Sequence, residues 1–305
     1  MRVKMFAADS AAGIPIPRYD LAVVGEAVDD RGLAAITFAR SVAAKTIVAK
    51  YHPHTLRIEC DGCEMEPDDL ATNFASAAGQ RVLIETTTVG FAELFICCSV
   101  VRRLEHSTLS FLYVEPREYL RPDKKVIRQR DFELSEEIVG YKPIPGAIAS
   151  LDQVAIGTDP ESHNVVFLLG FEGQRMDRAL EDLPIDPRRC YLVFGVPGFR
   201  PGWELDSFAN NIRVLSDEEF HQEPQFCAAD NPLAIMELLE AIHEGQSPDG
   251  ELFVAPIGTK PHGIGAALFA TEHNDVGLLY DHPRRKEGRS SHTGVWHLFV
   301  AEFAD

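Results

Sequence analysis

The stretch ELFVAPIGTKPHGIGAALFA, Glu251 to Ala270, decides how this chain is read. Leu252-Phe253-Val254-Ala255 is a continuous apolar run of strand length, and Gly263 to Phe269 reads as a small, apolar helix. Between them lies Pro256-Ile257-Gly258-Thr259-Lys260-Pro261. Gly258 lets the backbone approach a ligand closely, and Pro261 suits a first helical turn. A helix N-terminus presents unsatisfied N–H groups and the positive end of the dipole, to which Lys260 adds a mobile positive charge. Together these features make an anion-binding edge. They point to a nucleotide or another phosphorylated ligand without identifying a reaction.

Outward from this element, the same alternation repeats. Apolar runs expected as strands are Val82 to Thr86, Leu109 to Val114, Val165 to Leu169, Tyr191 to Phe194 and Val276 to Tyr280. Helical patterns cover Phe91 to Leu104, Arg175 to Leu180, Glu204 to Asn211 and Leu233 to His243. Continuous apolar strands separated by crossover helices predict a parallel sheet covered on both faces. Val295 to Phe303 alternates and is expected as an antiparallel edge strand.

Before this region, the chain reads strand (Asp20 to Val24), helix (Arg31 to Ala44), two short strands joined by His52-Pro53-His54, and a second helix from Asp68 to Ala78. Asp29 or Asp30 is expected to cap the first helix, and Gly79 to end the second. The expected fold is α/β: a doubly wound, mostly parallel Rossmann-like sheet over residues 80–305, preceded by a small α+β unit over residues 1–79. An inserted arm is expected around residues 115–162, because that span is proline-rich, basic and too long for a simple crossover. A protruding dimer or partner contact and a solvated insertion both fit it.

Composition limits the function. With 305 residues, 45% hydrophobic and 25% charged, the chain can bury a sizeable core. A formal net charge of −18 argues against bulk DNA or RNA binding, since most of the surface repels phosphates. No apolar run is long enough to span a bilayer, and Met1 to Asp9 does not read as a secretion signal. The six scattered cysteines read as reduced thiols, so a cytoplasmic protein is expected.

In open α/β sheets, ligands bind outside the carboxyl ends of the strands, where strand order reverses. The loops after the strands are therefore read together as one mouth. The candidate ligand-binding residues are Thr86, Thr87, Thr88 and Gly90, Gly170, Gly195 and Gly198, Gly258, Thr259 and Lys260, and Asp281 with His282. Phe171, Phe199 and Trp203 are candidate stacking platforms for bases.

The strand–Gly258-Thr259-Lys260–helix element resembles the signature of CARF domains, the CRISPR-associated Rossmann-fold sensors, and of the related SAVED modules of prokaryotic defence. In that family a strand ends in Asn-x-Thr-Gly-Gly-Thr-Lys and the next helix begins at once. The resemblance covers Arg81 to Asp305, with Thr86 to Gly90 matching the loop after the family's first strand. It departs at Pro256-Ile257, where the family has threonine and glycine, and no appended nuclease is read. The resemblance implies a cytoplasmic, antiviral-defence sensor that binds a small nucleotide, as a homodimer or other homo-oligomer or through a separate effector protein.

Other constellations read as structural. Gly263-Ile264-Gly265 lacks the third small residue of a dinucleotide fingerprint, and no Gly-x-x-x-x-Gly-Lys-Ser/Thr is present. Cys60-Asp61-Gly62-Cys63 lacks a second ligand pair, so no metal is expected, and no cofactor is implied. Cys97-Cys98 reads as core. His292 and His297 stand near Asp281-His282 in sequence without metal-ligand spacing, and Arg284-Arg285-Lys286 with Arg289 reads as a solvated loop or a clamp on a polyanion. Three functions remain open. One is a sensor or adaptor acting through a partner. Another is a nucleotide phosphodiesterase in which Lys260 stabilises phosphate charge and Thr87, Thr88 or His282 act in acid–base or positioning roles. The last is a structural subunit of a larger complex.

Overall fold

The apolar runs do form strands, but they pair into two sheets rather than one. The computed structural model describes residues 1–15, 17–74, 81–104, 108–119, 132, 134–147, 163–217, 219–246 and 250–303. In chain order the first elements are β1 (Arg2–Ala8), β2 (Tyr19–Val24), α1 (Asp30–Val42), β3 (Ala43–His52), β4 (Arg57–Cys60), β5 (Cys63–Met65), α2 (Leu70–Phe74), β6 (Arg81–Glu85), α3 (Phe91–Arg102) and β7 (Thr108–Tyr119). Then follow β8 (Ser135–Ile138), β9 (His163–Leu169), α4 (Gly173–Asp182), β10 (Cys190–Gly195), α5 (Trp203–Asp217), β11 (Gln225–Cys227) and α6 (Pro232–Glu244). The last are β12 (Glu251–Pro256), α7 (Lys260–Glu272), β13 (Val276–Leu278), β14 (Pro283–Arg285) and β15 (Ser290–Glu302).

Two compact units result: Met1–Leu120 with Arg285–Asp305, and Arg121–Arg284. The division expected between residues 79 and 80 is not the one that strand pairing makes. β6 pairs in parallel with β2 of the N-terminal region and, on its other side, with β7. Residues on both sides of that expected boundary therefore share one eight-stranded sheet, ordered β1-β15-β7-β6-β2-β3-β4-β5. Its centre (β7-β6-β2-β3) is parallel and carries the crossover helices, while β4, β5, β15 and β1 extend it with antiparallel ladders. β15 is antiparallel as expected, yet it lies between β7 and β1 instead of at the edge. β1 was not among the expected strands: its seven residues begin Arg2-Val3-Lys4 and most of them are exposed.

Local chemistry explains the elements of this unit. Asp29 caps α1 by accepting the Gly32 N–H at 2.8 Å. The buried face of α1 (Ala35, Ile36, Ala39) packs with Ala22, Val24, Leu83, Val114 and Leu298 of the sheet. α3 is buried nearly all round, with Cys97 and Cys98 in the core as expected; burial pushes both thiols well above their ordinary range. Cys60 and Cys63 flank the β4–β5 turn as free thiols.

The second unit is built on a five-stranded, all-parallel sheet ordered β11-β10-β9-β12-β13. Numbered along the chain this is 3-2-1-4-5, with a helix in each crossover, the order of a Rossmann-like sheet. Every residue of the central strand β9 is buried, which is why Val165 to Leu169 reads as an unbroken apolar run after His163 and Asn164. On one face Val165, Phe167, Leu169, Phe194 and Phe253 pack against Met176, Ala179 and Val214 of α4 and α5.

Part of the expected arm belongs elsewhere: Glu115 to Tyr119 continue β7, while β8 forms a two-stranded ladder with β14. Residues 120–131, 133 and 148–162 of that span lie outside the described residues, as does the glycine end expected for the second helix at residues 75–80. Among the described residues, no helix is long and apolar enough to cross a membrane.

Candidate functional site

In the second unit, strand order reverses between β9 and β12, so the loops that leave these two strands meet at the switch point. They meet glycine to glycine. A Cβ on Gly170 would lie 3.1 Å from the Gly258 Cα, and one on Gly258 would lie 2.7 Å from the Leu169 carbonyl oxygen. Any side chain at Gly258 would drive the strand ends apart. α7 starts immediately after this contact, with Lys260 as its first residue and Pro261 in its first turn.

The neighbouring loops hold this edge in place. Thr259 caps α7: its hydroxyl donates to the Ala229 carbonyl at 2.7 Å and accepts the His262 N–H at 3.3 Å. The Gly170 carbonyl accepts from Ser207 Oγ at 3.0 Å and Asn211 Nδ2 at 2.9 Å, both on α5. Gly195 lies against Ala229, where an added Cβ would come within 3.1 Å of the alanine Cβ. A Cβ on Gly198 would lie 2.9 Å from a Glu204 carboxylate oxygen, so this glycine serves the start of α5. Gly170, Gly195, Gly258, Thr259 and Lys260 are thus brought together at one carboxyl edge.

Asp281 and His282 belong to the same edge but diverge from each other. Asp281 is buried and paired with Arg175 of α4, whose Nε donates to Oδ2 at 2.8 Å while Nη2 donates to Oδ1. Arg175 Nη1 also reaches the Ile257 carbonyl at 3.4 Å and lies 3.7 Å from the Glu172 carboxylate. Asp281 and Glu172 outweigh the cost of burial and hold the guanidinium well above its ordinary range, so it is permanently charged. His282 Nε2 donates to the Lys142 carbonyl at 2.9 Å. Aspartate and histidine are therefore not an acid–base pair.

The stacking platforms are also engaged from within. The Phe171 ring stacks on Phe132 at 4.5 Å and meets Trp203 edge-on at 5.9 Å, and Arg200 covers the Trp203 ring. Glu172, buried beside Phe171, accepts the Leu134 N–H and the Ser135 hydroxyl, each at 3.1 Å.

His262, in the first turn of α7, is fully buried, and its Nε2 lies 3.0 Å from the Ala228 carbonyl. A carbonyl only accepts, so this ring is the Nε2–H tautomer. Burial depresses its pKa from 6.5 to about 4 and keeps it neutral at physiological pH.

Thr86, Thr87, Thr88 and Gly90 do not join this edge, because they follow β6 in the first unit. The Thr86 hydroxyl donates to the Leu112 carbonyl, and Thr87 Oγ1 accepts the Val114 N–H. Thr88 Oγ1 donates to the Glu85 carboxylate and accepts the Gly25 N–H. Gly90 caps α3. A Cβ on Gly25 would lie 2.3 Å from the Thr88 carbonyl, and Arg285 donates to the carbonyls of Thr87, Thr88 and Val89. The reversal point of this sheet, between β2 and β6, is thus closed by its own chain.

Sequence reasoning counted Glu172 and Arg175 only as part of the loop after β9 without singling them out, and it passed over the loop after β11 that anchors Thr259 and His262. β11 is only three residues long, and the Asn231-Pro232 cap of α6 is the signal that marks its end. No protein-family model matches the chain, and no curated protein matches its sequence.

Two outcomes follow from these contacts. Asp281→Ala leaves a buried guanidinium without its main partner and is expected to cost about 3–5 kcal/mol in urea unfolding, while Arg175→Met with Asp281→Leu costs clearly less. For His262 the folded pKa lies below the unfolded one, so its stabilising contribution is complete above about pH 6.5 and drains as pH falls toward 4. Unfolding free energies at about pH 7.5 and 5 should show a loss of about 2 kcal/mol in the wild type that is absent from the His262→Gln variant.

Proposed function

We propose that the second unit binds a small phosphorylated ligand of nucleotide class at the switch point between β9 and β12. The observation that carries this reading is the Gly170–Gly258 contact in a 3-2-1-4-5 parallel sheet, followed at once by Lys260 at the start of α7. The Gly170–Gly258 contact lets the two strand ends close on each other where α7 begins, and the dipole of a thirteen-residue helix adds to the Lys260 charge there. The first turn of α7 satisfies much of itself, since Pro261 has no N–H and Thr259 accepts from both His262 and Gly263. Lys260 therefore carries most of the attraction for phosphate.

Binding is favoured over hydrolysis. The groups a phosphodiesterase reading relies on, Thr87, Thr88 and His282, all hold neighbouring chain. The role that fits is a sensor or adaptor that binds a nucleotide signal and acts through a second copy or a separate effector, in a prokaryotic defence or signalling system. The strand–Gly258-Thr259-Lys260–helix likeness to CARF domains supports this role and makes cyclic oligonucleotides the first ligands to try.

Calorimetric titration of the full chain with ATP and with linear and cyclic oligoadenylates tests the reading. Micromolar binding of at least one of them is expected, weakened about tenfold or more in Lys260→Ala, as for loss of a charge-assisted contact. Chromatography of the bound mixture should return the ligand intact; a cleaved product assigns the site to a hydrolase. Absence of binding, or equal affinity in Lys260→Ala, removes the proposal.

A further inference from the structure

At the opposite end of the same parallel sheet, two helix ends bring together a set of side chains that the ligand reading does not use. His243 lies in the last turn of α6, His273 is the C-cap of α7, and Asp275 follows two residues later. His243 Nε2 lies 2.9 Å from Asp275 Oδ2, and His273 Nε2 lies 2.9 Å from Glu240 Oε1. The two imidazole rings are 4.6 Å apart, and the buried Phe269 ring packs against both, at 4.5 Å from His273 and 5.9 Å from His243. One ligand atom from each of His243, His273 and Asp275 lies within 4.8 Å of the other two.

We propose that His243, His273 and Asp275 form a binding site for a zinc-class divalent cation, with Glu240 as the carboxylate that orients His273. Side chains from two helix ends place two imidazoles and a carboxylate where one ion could reach all three. An imidazole that donates Nε2–H to Glu240 presents Nδ1 as a lone pair, which is how metal-binding histidines are generally held. Two imidazoles and a carboxylate suit Zn2+ and its neighbours, with water completing the shell, whereas Mg2+ and Ca2+ require mainly oxygen ligands. The C-terminal ends of α6 and α7 both point their negative dipole ends here, which favours a cation. The apolar Phe269 floor limits ring movement. A bound ion would clasp α6 to α7, away from the strand carboxyl ends, so the site is structural or regulatory. It stands whether or not the nucleotide reading holds.

Titration of the full chain with Zn2+ in competition with a chromophoric chelator, paired with thermal melts, reads this directly. The wild type should take up one Zn2+ per chain at this site and melt higher when loaded. Asp275→Asn and His273→Gln should each weaken uptake about tenfold or more and abolish the thermal gain. Asp275 has a 70% exposed side chain, so its substitution tests the site without disturbing packing. His52→Ala, at the one-histidine cluster with Glu59 and Glu64, should leave this site unchanged. Mg2+ in excess should not compete. Failure of the wild type to take up Zn2+ at submillimolar concentration, or equal affinity in Asp275→Asn and His273→Gln, overturns the proposal.

Discussion

A guanidinium shut away from water imposes more order on its surroundings than any apolar side chain of the same size, and Arg175 is such a group. Losing hydration costs an ion several kcal/mol, so it persists only where partners converge on it. Here they come from separate strand ends: Asp281 from the loop after β13, the Ile257 carbonyl from the end of β12, and Glu172 from the turn after β9. Because the charge cannot be left unpaired, these loops hold one geometry. That geometry sets Gly170 against Gly258 and starts α7 where it does.

Both units contain a parallel sheet whose strand order reverses, yet the two reversal points are used differently. In the first unit the crevice is closed by Gly25 lying on Thr88 and by Arg285 spread over three carbonyls. The buried Glu85 carboxylate, pushed above its ordinary pKa by desolvation, accepts the Thr87 and Thr88 N–H groups and completes the closure. In the second unit Gly170 and Gly258 bring two strand ends into contact at the corresponding point, and Lys260 follows at the start of α7. The ligand reading proposed above rests on the second of these two points.

Much of this was legible in the sequence, because burial on both faces leaves a direct trace. β9, β10 and β12 stand out as unbroken apolar runs, and Pro261 and Asn231-Pro232 mark helix starts. What periodicity does not carry is the partner of each strand. β6 looks the same whether it opens a new sheet or joins β2, so one sheet was expected where two exist. β1 and β11 are short or charged and leave little trace. At the site, Gly258-Thr259-Lys260 was legible because a turn between strand and helix has a recognisable composition. The engagement of Asp281 by Arg175, 106 positions away, was not, nor was the internal use of the Thr86–Thr88 hydroxyls. The His243–His273 cluster escapes for the same reason, since its side chains come from the ends of two helices brought together only by packing.

The placement of the ligand is tested most directly by amide hydrogen exchange on the full chain, with and without the nucleotide that binds most tightly. Entry at the β9–β12 switch point predicts new protection at Gly170 to Gly173 and at Gly258 to Gly263, with little change elsewhere. Protection confined to Thr86–Gly90, or an exchange pattern that the nucleotide leaves unaltered at both glycine turns, would contradict it.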